Sequence, residues 1–408
     1  MSTPYDVEAI RADFPILCQL VRGKRLVYLD SAGSAQKPRQ VIEAVERVYE
    51  TEYANVHRGL HYMSEQTSAR YEEARETVRA FINAEHSHEV IFTKGTTESI
   101  NLVASSYGRK MVGPGDEVLL TYAEHHSNIV PWQLLREQTG CVLKVVPVED
   151  DGSMKLADFD GMITEKTKIV AFCHVSNVLG TVLPVKEITA IAHDRGAVVV
   201  IDGAQGVVHM PVDVQAMDVD FYVFSGHKLY GPSGIGVLYG KAALLEAMPP
   251  YQGGGGMINT VSFEETTWAD LPDKFEAGTP PIVQAIGLGA AIDYLSGIGM
   301  ARIAEHERDL LNYATQRLSA VEGLNFIGTA AGKASVVSFT MDCAHPHDIS
   351  TIIDQNGVAV RAGHHCAQPL MDRFDLPSTA RASLGLYNTH EDIDVLADSL
   401  EKVREIFR

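Results

Sequence analysis

Between residues 89 and 240, short apolar runs alternate with stretches of helical periodicity, and no other feature constrains the fold as tightly. The runs at 89–93, 117–121, 142–146, 168–174 and 197–202 are largely apolar, as strands buried on both faces are. Helical patterns such as 96–106 separate them, and strands joined through helices pair in parallel. The expectation is an α/β fold with a large, mostly parallel sheet covered by helices. The runs at 222–224 and 235–239 are too close together for a crossover helix, so one of that pair is expected to be antiparallel.

A long helical stretch at 281–298 closes this region. A second pattern follows: helix 301–321, strand 334–340, helix 346–356 and strand 358–361. A chain of 408 residues exceeds the usual size of one core, so more than one domain is expected. The expected division is an N-terminal segment, 1–30, packed on the small domain; a large domain, 31–295; and a smaller α+β C-terminal domain, 296–408. Within the first segment, 6–14 reads as a short helix ended before Pro15, and 26–29 as a short strand.

Hydrophobic residues at 45 % and charged residues at 21 % are values of a globular protein. The net charge of −19 argues against a nucleic-acid or anionic-membrane partner and leaves a basic protein partner open. No apolar stretch approaches the roughly 20 residues of a membrane span. The start, Met1 to Glu8, lacks a basic region followed by an apolar core, so no signal peptide is expected. Five scattered cysteines suit free thiols in a reducing cytoplasm.

Ser225-Gly226-His227-Lys228 follows an apolar strand and precedes a glycine-punctuated one. A lysine delivered to a turn in this way can form a Schiff base, with the neighbouring hydroxyl and imidazole gripping a phosphate; taken alone it also reads as a solvated loop lysine. Asp202 tips the balance. It ends the run 197–202, where a buried carboxylate is costly unless it meets a cation. The protonated ring nitrogen of pyridoxal phosphate is such a cation, and the cofactor withdraws electrons only while that proton is kept. Gln205 and Asn177 can reach the ring hydroxyl, although Asn177 also fits an ordinary turn. Lys94-Gly95-Thr96-Thr97-Glu98-Ser99 places hydroxyls and backbone N–H groups at a helix start, either an anion site or a plain cap.

His125 can stack on a cofactor ring and shuttle protons, or belong to a surface histidine pair. No third element adds metal-ligand spacing to His125-His126 and His364-His365, so no metal site is expected. Cys366 lies in a loop after a strand, flanked by histidines and glycine, a setting for a reactive thiolate or a structural thiol. Arg381 offers a planar fork for a carboxylate, or a surface ion pair.

With these motifs the chain resembles a group II, Suf-type cysteine desulfurase of the class V, fold-type I pyridoxal-phosphate enzymes. The likeness runs nearly end to end, through Leu29-Asp30-Ser31-Ala32, Asn55-Val56-His57-Arg58-Gly59, Glu124-His125-His126, Asp202-Gly203-Ala204-Gln205, Phe275-Glu276-Ala277-Gly278-Thr279-Pro280 and Gly363-His364-His365-Cys366. The resemblance implies that Lys228 holds the cofactor, His125 stacks on it, and Asp202, Asn177 and Gln205 contact its ring. It implies that Thr97, Ser225 and His227 bind the phosphate, with Thr279 reaching in from the partner of a homodimer. Arg381 would bind the cysteine carboxylate with support from Arg361, and Cys366 would take the sulfur, leaving alanine and a persulfide for iron–sulfur cluster assembly. Neighbouring alternatives are a selenocysteine lyase, another class V enzyme, or a persulfide carrier without catalysis.

Gly33 stands where the resembled family often has alanine, and Gly253 to Gly256 extends a glycine-rich loop; neither is expected to touch a catalytic role. The cysteine loop is short, as in group II. His345-Pro346-His347-Asp348 resembles the variant whose sulfur acceptor is a zinc-bearing, scaffold-like sulfurtransferase, engaged through His347.

Overall fold

The computed structural model describes residues 5–407. Residues 1–4 of the expected N-terminal segment, and with them half of the stretch read for a signal peptide, lie outside the described residues. A seven-stranded sheet runs in the order Val90–Thr93, Gly236–Gly240, Phe221–Ser225, Val198–Asp202, Thr167–Cys173, Glu117–Thr121, Val142–Val146. Gly236–Gly240 is antiparallel to both neighbours, and every other pairing is parallel. The antiparallel strand is the one reached by a turn too short for a crossover. Val90–Thr93, Phe221–Ser225 and Gly236–Gly240 are buried at every position, which explains their unbroken apolar character.

Helix Ile282–Ile298 packs on helices Arg39–Arg47 and Tyr62–Phe81. Gly299, with φ 97°, turns the chain by 74° into helix Met300–Ser319. Among the described residues no single helix is long and apolar enough to cross a membrane.

A second sheet is wholly antiparallel, in the order Leu324–Ile327, Val336–Met341, Thr379–Ser383, Arg361–Gly363. Helices Met300–Ser319, Pro346–Asp354 and His390–Ile406 supply the apolar side chains that pack with it, among them Leu310, Ile349 and Leu396. The strand expected at 358–361 is two strands. Val358–Ala359 pairs in parallel with Val27–Tyr28, and after Val360 the chain changes partner, so that Arg361–Gly363 joins Thr379–Ser383. Val27 and Leu29 share the core of this second sheet. Buried Arg11 ties the segment down further, donating to the Tyr387 and Leu26 carbonyls and pairing with Asp392 at 3.1 Å. The same segment also touches the larger region, where Phe14 meets Tyr230 and Tyr294 edge-on.

Candidate active site

Parallel strands end on one edge, and loops leaving that edge converge. Thr93 leads to Thr96, Thr121 to His125, Cys173 to Asn177, Ser225 to Lys228, and Asp202 is the last residue of its own strand. A cavity of about 160 Å³ opens there. Lys228, Asp202, His125, Asn177, Thr97, Ser225 and His227 line it from the large sheet's loops, and Arg361, Cys366 and Arg381 from the second sheet. The two sheets therefore enclose the site between them.

Gln205 stands outside this lining, and Thr279, expected to come from a partner subunit, is not part of it within one chain. Gln205 is buried behind the wall, where its Nε2 donates to the Ala32 carbonyl at 2.9 Å. Thr279 lines a different concavity of the same chain, with Asn55, His57, Arg58, Gly256 and Pro280.

Burial shapes the electrostatics. It lowers the pKa of the Lys228 amine, and Asp202 works in the opposite direction. Asp202 is itself raised by burial; it accepts the Ala204 N–H at 3.0 Å and forms no ion pair with a described residue. His125 is held down at about 3, first by burial and then by the positive field of Lys228, so its imidazole is neutral at pH 7. Its Nδ1 accepts the Ser127 N–H at 3.1 Å and shares a 2.8 Å hydrogen bond with the Ser127 hydroxyl. Glu124, fully buried beside it, is pushed up to about 7 by burial and is fixed by Thr121, Asn128 and the Cys173 N–H.

At one end the Thr96 N–H donates to Ser225 Oγ at 2.9 Å, and the two hydroxyls are 2.8 Å apart. This is the N-terminus of helix Thr96–Val103, with His227 held neutral at about 4 by burial. Lys37 is a residue the sequence reading missed. Its amine, lowered to about 8 by burial, donates to the carbonyls of Ala35 and His227, the second at 3.2 Å, and so fixes the peptide just before Lys228.

The Cys366 loop is pinned from both sides. His365 and Cys366 both adopt left-handed backbone, φ 51° and 57°, a strained choice for non-glycine residues. The hydrogen bonds that hold it include His126 N–H to the Cys366 carbonyl (2.7 Å), Cys366 N–H to His364 Nδ1 (3.1 Å), Gln368 N–H to His126 Nε2 (3.1 Å) and Asn177 Nδ2 to the His365 carbonyl (2.8 Å). His126 and His364 thus brace the loop that carries the thiol, and Asn177 joins the two halves of the site.

Arg381 is 2 % exposed, donates to the Asn177 carbonyl at 2.9 Å and to Asp30 at 3.1 Å, and keeps a buried Nε without a partner. Burial lowers it to about 10, with Asp30 opposing. Arg361 also grips Asp30, through Nε and Nη2. The sequence reading named Asp30 only as part of a motif, although a carboxylate ending a strand beside a Ser-Ala-Gly turn was a usable signal. Gly33 lines the cavity, and a Cβ there would lie 2.5 Å from Arg361 Nη2.

These groups suit a planar, phosphorylated aldehyde: a buried amine, a buried carboxylate in no ion pair with a described residue, hydroxyls at a helix N-terminus, and a neutral imidazole in the same lining. The comparisons agree. The model for the family described as aminotransferase class-V matches residues 27–396. A probable cysteine desulfurase of Halalkalibacterium halodurans is 54 % identical over 98 % of both chains. A cysteine desulfurase of Escherichia coli is 50 % identical over 98 % of this chain and 99 % of its own. Among solved structures, an E. coli cysteine desulfurase, CsdA, in an S-sulfonic acid form superposes with a TM-score of 0.92 at 40 % identity, covering all of both chains. An apo cysteine desulfurase of Thermococcus onnurineus superposes at 0.93 with 38 % identity and 99 % coverage of each. The chain belongs to the class V aminotransferase family, among its pyridoxal-phosphate-dependent cysteine desulfurases.

Proposed function

We propose that this cysteine desulfurase takes the sulfur of L-cysteine onto Cys366 as a persulfide, releases L-alanine, and is of the group II, Suf type. The observation that carries the reading is that Lys228, Arg381 and Cys366 line one cavity although they come from two sheets. Pyridoxal phosphate, when bound, supplies the electron sink for bond breaking at the substrate. The residues supply the rest. Lys228 holds the cofactor through its amine and moves the substrate proton, a task suited to an amine whose pKa burial lowers. Asp202 would pair with its ring nitrogen. Thr97, Ser225 and His227 would hold its phosphate, and neutral His125 would stack on its ring. Asn177 would meet its ring hydroxyl, and Gln205 supports Ala32 in the same wall.

Arg381 receives the substrate carboxylate, with Arg361 beside it. The Cys366 thiolate attacks the substrate sulfur, the carbon–sulfur bond breaks with its electron pair going to the substrate carbon, and a proton there completes alanine. The group II assignment rests on the short loop around Cys366, which brings the thiol to the cavity but gives it no long arm to reach an acceptor. An acceptor protein must then come to the loop. His347 is exposed at the start of helix Pro346–Asp354, whereas His345 is occupied as the cap of that helix, accepting the His347 N–H at 3.3 Å. His347 is therefore the imidazole offered to a zinc-bearing acceptor. We assign the chain further to a cytoplasmic homodimer in iron–sulfur cluster assembly, with Thr279 completing the partner's phosphate site, and to a division at 1–30, 31–295 and 296–408.

The test is Cys366→Ser, assayed for alanine and sulfide from cysteine with a small-thiol reductant. The variant should retain cofactor and lose sulfide release. Sulfide at the wild-type rate would remove Cys366 from the reaction.

A further inference from the structure

The segment 34–37 leans on the turn that carries Lys228. Three donors from it converge on one acceptor, the His227 carbonyl: the Ala35 N–H at 3.1 Å, the Ser34 hydroxyl at 3.3 Å and the Lys37 amine at 3.2 Å. The Lys37 amine also donates to the Ala35 carbonyl and lies 3.5 Å from Ser34 Oγ. All of these acceptors are uncharged, and Lys37 forms no ion pair with a described residue. A sheltered cation without a counter-ion is costly. Burial lowers this amine to about 8, with no carboxylate to raise it.

Thr97, Ser225 and His227, the groups placed to hold a phosphate, line the cavity and are all neutral at pH 7. His227 is kept so first by burial and then by the positive charges of Lys228 and Lys37. The field of Lys37 therefore reaches an imidazole of the cavity wall, although Lys37 itself stands outside the lining. A phosphate monoester carries about two negative charges at pH 7, which neutral donors do not balance.

We propose that Lys37 is the counter-charge of the cofactor's phosphate, held behind the cavity wall by the segment 34–37 and acting across His227. The proposal rests on the reading that Thr97, Ser225 and His227 hold that phosphate. Removing the charge weakens ligands that carry a phosphate and spares those that lack one.

The experiment titrates the apo-enzyme with pyridoxal phosphate and with pyridoxal, which differ by the phosphate, and follows the change in absorption on binding. Lys37→Met removes the amine, and Lys37→Gln keeps an N–H donor without the charge. Each should weaken pyridoxal phosphate roughly tenfold, as the loss of one partly screened charge beside a dianion does, and pyridoxal by less than about twofold. Equal weakening of both ligands, the result of a general support for Lys228, would overturn the proposal. So would unaltered affinity for pyridoxal phosphate in either variant; in Lys37→Gln it would make the residue a donor only. If Lys37→Met does not fold, Lys37→Gln decides by the same ratio. Failure of both to fold would assign Lys37 to the fold and overturn the proposal. The reading beneath it fails differently: an unaltered apo-enzyme that binds the two ligands equally has no phosphate site.

Discussion

Replacing Arg381 by lysine tests the carboxylate site at its most constrained residue. The guanidinium is fully enclosed and divides its two terminal nitrogens between the Asn177 carbonyl and Asp30. Lysine keeps the charge but has a single ammonium on a flexible stem, so it cannot reach both acceptors and still present a planar edge to a substrate. One hydrogen bond to a charged group is worth about 1.5–3 kcal/mol, which corresponds to roughly ten- to a hundredfold in binding. KM for cysteine should rise by that factor. The smaller change, Arg361→Lys, should raise it less, because Arg361 is 45 % exposed and water replaces part of what it loses. The assay is steady-state alanine production across a cysteine titration, with cofactor content measured for each variant. An unchanged KM for Arg381→Lys, or a larger effect at 361 than at 381, would refute the assignment.

His347→Ala should leave turnover with a small-thiol reductant near that of the unaltered enzyme and abolish stimulation by a zinc-bearing sulfur acceptor. Equal stimulation of both proteins would contradict the proposed docking. A pH effect follows from the buried imidazoles. His174 and His365 are held at about 4 and about 3 by burial, against 6.5 in an unfolded chain. Between those values the unfolded state binds protons that the folded state does not, so both residues lower stability as pH falls from 7 toward 4, while Glu124, raised to about 7, opposes them. The fall in apo-enzyme Tm between pH 7 and pH 5 should be smaller in His174→Gln than in the unaltered protein. An equal or larger fall would contradict this.

The elements that create the site were legible because local signals agreed. Buried apolar runs ending in Asp202 and Ser225 carry their polar cargo at the edge where loops converge, and the short turn after Lys228 forces the antiparallel strand of the seven-stranded sheet. The second sheet was harder to read. Thr379–Ser383 is a fully buried strand in the middle of its sheet, yet Thr-Ala-Arg-Ala-Ser lacks the β-branched apolar run that marks one. The change of partner at Val360 depends on the Val27–Tyr28 strand, far away in sequence. For the same reason the sequence could not show that residue 33 faces residue 361.

The central claim is that Lys228, in the turn after the buried strand Phe221–Ser225 and lining one cavity with Asp202, holds the cofactor. Borohydride reduction of the loaded enzyme followed by peptide mapping measures this directly. The account predicts a single labelled peptide carrying the cofactor on Lys228, and no label in Lys228→Ala. A label on any other lysine, or a Lys228→Ala protein that is still labelled and active, would contradict it.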